Sequence, residues 1–183
     1  ELQTTMRSFT GILQQLIIRR SANKRPVRRL KLMNFQKVRK VCLLLALSEE
    51  DDATILYKAK QEYEQLQKEV DIFVFPAFKS LPPQLTASQY QLIKKEELNI
   101  AGLPDKKTRD MLSRQSCDLM VYYNPGNYAP VAYAATLIKA LIIAGTPGTQ
   151  AYTPEIVLHT KKEGLLHFIH VVNYYLNNIK QSL

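Results

Sequence analysis

Seven apolar residues run without interruption from Val41 to Leu47, between Lys40 and Ser48. A strand with one wet face alternates polar and apolar side chains. A run with no alternation has to be covered on both faces. At seven residues the run has strand length, and it sets the expectation of a sheet sandwiched between helices.

The remainder of the chain alternates in the same way. Ser48 and the acids Glu49 to Asp52 supply a helix start, since negative charge is favourable at a helix N-terminus. A helix follows to about Lys68, with Ile55, Leu56, Ala59, Tyr63 and Leu66 on one stripe. Further strands are read at Asp71 to Pro76, Asp118 to Tyr123, Leu141 to Ala144 and Glu155 to His159, with a short edge strand within Gln89 to Ile93. Asp105 caps a short helix to about Arg114, Pro130 fits the first turn of another, and Gly164 to about Lys180 closes the chain with an amphipathic helix. The pattern predicts an α/β fold of three layers, with a mainly parallel, Rossmann-like sheet.

Residues 4–20 precede this pattern and place Phe9, Ile12, Leu13, Leu16 and Ile17 at helical spacing. They form an apolar stripe that ends at Arg19 and Arg20. The division expected is a basic amphipathic arm with its linker over residues 1–31, and a single α/β domain over 32–183. At 183 residues the length suits one domain of roughly 100–200 residues plus an appendage.

Charge separates the two parts. Residues 1–40 hold eleven lysines and arginines against the single acid Glu1, whereas residues 41–183 hold fourteen against fifteen. The overall charge of +9 therefore sits in the first forty residues, most of it in the arm, and points to an anionic partner. Cys42 and Cys117 lie in or beside apolar runs without metal or redox spacing, and read as buried thiols in a reducing compartment. No segment approaches the roughly 18 apolar residues of a membrane span. Phe9 to Ile18 is interrupted by Thr10, Gln14 and Gln15 and leads into arginines, unlike a signal peptide. The expectation is a cytoplasmic protein.

Three stretches carry a family resemblance. They are Asn34-Phe35 with Val38 to Lys40 before the first strand, Glu97 to Pro104 before the short helix, and Cys117 to Tyr123 leading to Pro130–Ala135, Lys139-Ala140 and Gly145. With these, the chain from about Leu32 resembles a family of short bacterial proteins of unknown function. The resemblance implies a Rossmann-like fold and no particular activity. A fainter likeness, in the layout from Asp118 to Gly145, is to the N-terminal half of heptosyltransferase-like glycosyltransferases. The turn sequence and the lack of a nucleotide-sugar domain depart from that pattern, so it implies shared architecture.

In an open parallel sheet, ligands collect beyond the carboxyl ends of the strands. Among the loops expected there, Asn124-Pro125-Gly126-Asn127 is the best candidate ligand turn. Glycine admits backbone amides to a ligand, and Tyr122, Tyr123 and Tyr128 flank it. Asn124, Gly126 and Asn127 are its candidate residues, for a small nucleotide-like ligand or as what a degenerate glycosyltransferase-like domain would use. The same residues also serve as a plain strand-to-helix turn. No phosphate cradle of the glycine-rich kinds is present, and Gly145 to Gly148 lacks the lysine and helix start it needs. His167 and His170 stand three apart without the partners of a metal site, and read as core or boundary residues, with His159 structural at a strand end. Neither cysteine has a feature that lowers its pKa, and no serine nucleophile motif occurs. No catalytic residue, metal or cofactor is assigned.

Functional weight falls on Arg19, Arg20, Lys24, Arg25, Arg28, Arg29 and Lys31. Against phosphates, such contacts make binding fall by roughly 0.9 log units per contact for each log unit of salt on duplex DNA. Only Phe9 and Phe35 accompany the cations, so base stacking has little support and backbone contact fits better. The partners expected are a protein or a second copy through the N-terminal helix, nucleic acid or ribonucleoprotein, or a membrane surface taking Phe9, Ile12, Leu13 and Leu16. Gln14 and Gln15, in place of lysines on the polar face, count against the last. A helix folded back on its own domain, with a solvated linker, accounts for the same pattern.

Overall fold

The computed structural model describes residues 2–24, 35–47, 53–76, 90–148, 151–159 and 164–178. In chain order the elements are helix α1 (Leu2–Asn23), strand β1 (Lys40–Leu47), α2 (Ala53–Gln65), β2 (Glu69–Pro76), β3 (Gln91–Leu92), α3 (Lys106–Ser113), β4 (Ser116–Tyr123), α4 (Ala129–Leu137), β5 (Lys139–Gly145), β6 (Ile156–Val157) and α5 (Leu165–Asn178). Short 3-10 turns occupy Phe35–Lys37 and Lys95–Glu97.

The six strands form one sheet in the order β3-β2-β1-β4-β5-β6, and each neighbouring pair is parallel. β1 lies between β2 and β4, in register Leu43 to Ile72 and Leu43 to Val121. Its side chains divide between two cores. Val41, Leu43, Leu45 and Leu47 join Leu56, Ala59 and Tyr63 of α2 and Leu165, Phe168, Ile169 and Val172 of α5. Cys42, Leu44 and Ala46 join Ile18 of α1, Leu112 of α3 and Val131 to Ala135 of α4. The unbroken apolar run thus feeds both faces of a three-layer sandwich, each buried leucine contributing about 2 kcal/mol. α4 sits under α1 as well as on the sheet, and its residues from Pro130 to Thr136 are all buried.

The amino end of the sheet is fastened by polar contacts. Asp118 at the start of β4 accepts from the backbone amides of Arg39 and Lys40 at 2.8 and 3.0 Å. The Lys40 ammonium bridges Glu69 and Asp71, both at 2.8 Å, on the adjacent strand. Hydrogen bonds to Asp71 and Glu69 hold its pKa well above the usual lysine value. Lys68 is buried, donates to the carbonyls of Phe35 and Val38 at 3.1 and 2.7 Å, and lies 4.5 Å from the centre of the Phe35 ring. Burial lowers its pKa, and the charge of Asp118 works the other way.

Element ends differ from the sequence expectation in explicable places. α2 stops at Gln65, before Lys68, because Gln67 turns into the left-handed region at φ 56° and Lys68 is drawn under Phe35. α1 runs on through Ser21 to Asn23, because Ser21 accepts from Thr136 of α4 at 2.7 Å. Asp105 caps α3 as expected, accepting from the Thr108 amide at 2.7 Å. His167 and His170 are exposed, not core or boundary residues, and His159 after β6 is exposed as well. The two on α5 fall on its outer side, and His170 meets Glu62 of α2 at 2.5 Å. The helix start expected at Ser48 to Asp52 lies outside the described residues.

Candidate functional site

The sheet order reverses between β1 and β4, since β2 and β3 build outward on one side and β5 and β6 on the other. Open α/β sheets bind ligands in the crevice beyond the strands' carboxyl ends at such a point. The turn after β4 therefore stands at the reversal. There Asn124 is fully buried. Its side-chain amide donates to the Tyr122 hydroxyl at 2.7 Å and the Tyr128 carbonyl at 3.0 Å, and its side-chain oxygen accepts from the Tyr128 amide at 2.7 Å. Its own backbone amide donates to Thr146 Oγ1 at 3.0 Å, tying the turn to the end of β5. Both amide protons are engaged inside the protein, so this side chain acts as a strut.

Gly126 and Asn127 are exposed at the tip. Asn127 closes the turn on the Asn124 carbonyl at 3.1 Å and adopts φ 53°, a conformation asparagine tolerates. A Cβ at Gly126 would meet nothing within 4 Å, so its surroundings are open. Beneath the turn, Tyr122 packs edge-on against Tyr152 with ring centres 5.3 Å apart, and burial pushes its pKa up to about 12. A Cβ at Gly145 would stand 2.7 Å from the Tyr122 carbonyl, so only glycine fits there without a shift.

The second candidate is the outer surface of α1. Ile18, 1% exposed, joins the core that contains Val131 to Ala135 of α4. Gln14 donates to the Ala101 carbonyl at 2.6 Å, and Ser21 bonds Thr136. Ala101 belongs to a tight loop in which the Asn99 side chain accepts from the amides of Ala101 and Leu103, while Gly102 takes φ 70°. Three contacts thus fix which side of the helix faces inward. Ile12, Leu13 and Leu16 are left 57%, 40% and 58% exposed.

The predicted stripe had grouped these three with Ile17, which is half-buried. Docking follows Ile18 instead, off the edge of the stripe. A signal was present in the sequence: Ile18 lies four residues from Gln14 and three from Ser21, so the three share one side. Arg19, Arg20 and Lys24 are exposed at the same end of the helix, and among the described residues none of them forms a salt bridge. Arg25, Arg28, Arg29 and Lys31 lie outside the described residues.

The cysteines complete the inventory. Cys42 on β1 and Cys117 on β4 are buried and free. The hydrogen bond to Cys117, followed by burial, raises the Cys42 thiol well above its ordinary value, which keeps it protonated and a poor nucleophile. Among the described residues, no three His, Cys, Asp or Glu side chains gather as metal ligands, and no helix is long and apolar enough to cross a membrane.

Over residues 12–179 the chain matches a family of unknown function, DUF6913. It belongs to that family. The match begins at Ile12, inside α1, so the DUF6913 region takes in Ile12 to Asn23 of the helix together with the sheet and α5. No curated protein and no solved structure matches the chain. The likeness to heptosyltransferase-like enzymes therefore rests on layout alone. The stretches that carried the DUF6913-like resemblance build the frame: Phe35 and Val38 hold Lys68, Glu97 to Pro104 seats α1, and Gly145 admits Tyr122.

Proposed function

We infer that this DUF6913 protein is a non-enzymatic interaction module of the cytosol, which docks onto an anionic partner through the outer surface of α1 and the basic segment after it. The single observation that carries the reading is the orientation of α1. Its inner side is committed to the domain through Gln14, Ile18 and Ser21. Its outer side offers Ile12, Leu13 and Leu16 with the exposed cations Arg19, Arg20 and Lys24, which form no salt bridge among the described residues. Exposed cations of this kind attract external anions. Two free buried thiols accord with a reducing compartment.

Retention on phosphocellulose under rising salt tests the reading. Arg19→Gln, Arg20→Gln and Lys24→Gln together are expected to elute at clearly lower salt than the unaltered protein. The matched control neutralises Lys94, Lys95 and Lys106, which are also exposed. Equal shifts in the two triple variants would mean that only total charge matters, and the docking surface would be lost as an idea.

A second reading, a small nucleotide-like ligand at the turn Asn124 to Tyr128, draws support from the position of that turn at the β1/β4 reversal. Because Asn124 is a strut, the informative variant is Gly126→Val, whose side chain enters open space. A thermal-shift screen with nucleotides and nucleotide sugars should then raise the melting temperature of the unaltered protein but not of Gly126→Val. A flat screen removes this reading.

A further inference from the structure

We propose that the anionic partner of α1 is a lipid surface, on which Ile12, Leu13 and Leu16 insert beside the acyl chains while Arg19, Arg20 and Lys24 lie among the headgroup phosphates. The proposal rests on the docking reading above and narrows it to one class of partner.

Angular position gives the first argument. At 100° per residue, these six side chains fall within an arc of about 140° whose centre points almost directly away from Ile18. Ile18 is the residue that α1 buries in the domain. The domain is therefore held on one side of the helix, and the whole outer arc can approach a flat surface. Along the axis the apolar residues occupy the middle of α1 and the cations stand at its carboxyl end, Lys24 just past Asn23, an arrangement suited to a helix lying in the plane of an interface.

Sequence alone raised Gln14 and Gln15 as an objection, since an isolated interfacial helix needs a charged side facing water. The fold answers for Gln14, whose amide is spent on the Ala101 carbonyl. The side of α1 away from the lipid packs on its own domain through Gln14, Ile18 and Ser21, and Gln15 stays exposed at the rim between that side and the outer arc.

The competing partners fit less of the surface. Nucleic acid would accept the cations but leave three large aliphatic side chains facing phosphate and water, with no aromatic ring among the six for stacking. A second copy would accept the aliphatic side chains. However, α1 has no Asp or Glu along Leu2–Asn23, so its twin offers no counter-charge to Arg19 and Arg20. An anionic leaflet supplies both an apolar layer and phosphate at the matching depth. With few inserted side chains and no span, attachment is reversible and sensitive to salt.

The test is flotation of the full chain with vesicles of phosphatidylcholine, with and without about one-third phosphatidylserine. Binding is expected on the anionic vesicles and only traces on the neutral ones. Neutralising Arg19, Arg20 and Lys24 should lower partitioning about a hundredfold, at about fivefold per cation. Ile12→Ser with Leu16→Ser should lower it at least about tenfold while leaving the melting temperature unchanged. If the serines lower the melting temperature, Ile12→Gln with Leu16→Gln preserves helix propensity and reads the same loss.

Absence of binding to anionic vesicles overturns the proposal. So does loss of binding on charge removal with none on removal of Ile12 and Leu16, which would mark a nucleic-acid-type polyanion site. A dimer in sedimentation that Ile12→Ser with Leu16→Ser dissolves, without vesicle binding, overturns it in favour of a second copy. The phosphocellulose contrast separates the two levels: if it stands while flotation fails, the lipid is wrong and the anionic partner survives.

Discussion

The side-chain amide of Asn124 donates to the hydroxyl of Tyr122, 2.7 Å away and two residues earlier, and so ties the turn after β4 back to the buried end of that strand. Tyr122 is itself buried against Tyr152. Asn124→Ala would leave the Tyr122 hydroxyl and the amide and carbonyl of Tyr128 without this partner. The expected loss is about 2–4 kcal/mol of folding stability, read by urea unfolding. A loss below about 1 kcal/mol would show that other contacts hold the turn.

The two isoleucines of α1 should behave oppositely. Ile18→Ala opens a cavity between α1 and α4 and is expected to cost about 2–4 kcal/mol. Ile12→Ala removes a mostly exposed side chain and should cost about 0.5 kcal/mol or less. Denaturant midpoints of the two variants check the orientation of the helix. Equal losses, or a larger one at Ile12, would mean that α1 docks by another side.

Lys68 joins the 3-10 turn at Phe35 to the sheet through two carbonyls and a ring. Lys68→Met keeps the length and apolar stem but removes the donor, and is expected to cost about 1–3 kcal/mol. Hydrogen exchange at the amide of Val38, which bonds the Phe35 carbonyl, should quicken more than exchange in β4. Uniform quickening would contradict a local latch.

Asp105 gives a pH signature. Its carboxylate accepts from the Thr108 amide, which lowers its pKa below the ordinary 3.8. The folded state therefore binds this proton less readily than the unfolded chain. The stability it contributes is present above pH 3.8 and disappears as the pH falls through the lowered folded value. Asp105→Ala should melt below the unaltered protein at neutral pH, and the two curves should converge in acid. A constant gap at all pH values would remove the carboxylate from the account.

Local pattern made most of the architecture legible. The run from Val41 to Leu47 could be satisfied only by two cores, Pro130 and Asp105 marked helix starts, and alternating elements required a largely parallel sheet. The strand read at Glu155 to His159 is present as β6 but shorter, and its extent, like the early stop of α2, was less visible, because pairing with β5 and the burial of Lys68 decide them. The candidate turn was found from its glycine and proline. Asn124's internal role was not, since its partners Tyr128 and Thr146 meet it only after β4 and β5 are paired.

Sequence by itself determined that the amino end is helical and cationic, because spacing and composition are properties of a single segment. Only the tertiary structure decided which way that helix faces. A stripe of Ile12, Leu13, Leu16 and Ile17 has the periodicity of a buried face, yet periodicity says which side chains share a side and nothing of what meets them. The contacts of Gln14 with Ala101, Ile18 with the α4 core and Ser21 with Thr136 join residues up to 115 positions apart. Those long-range contacts rotate the helix about its axis, draw Ile17 towards the core and leave Ile12, Leu13 and Leu16 outward.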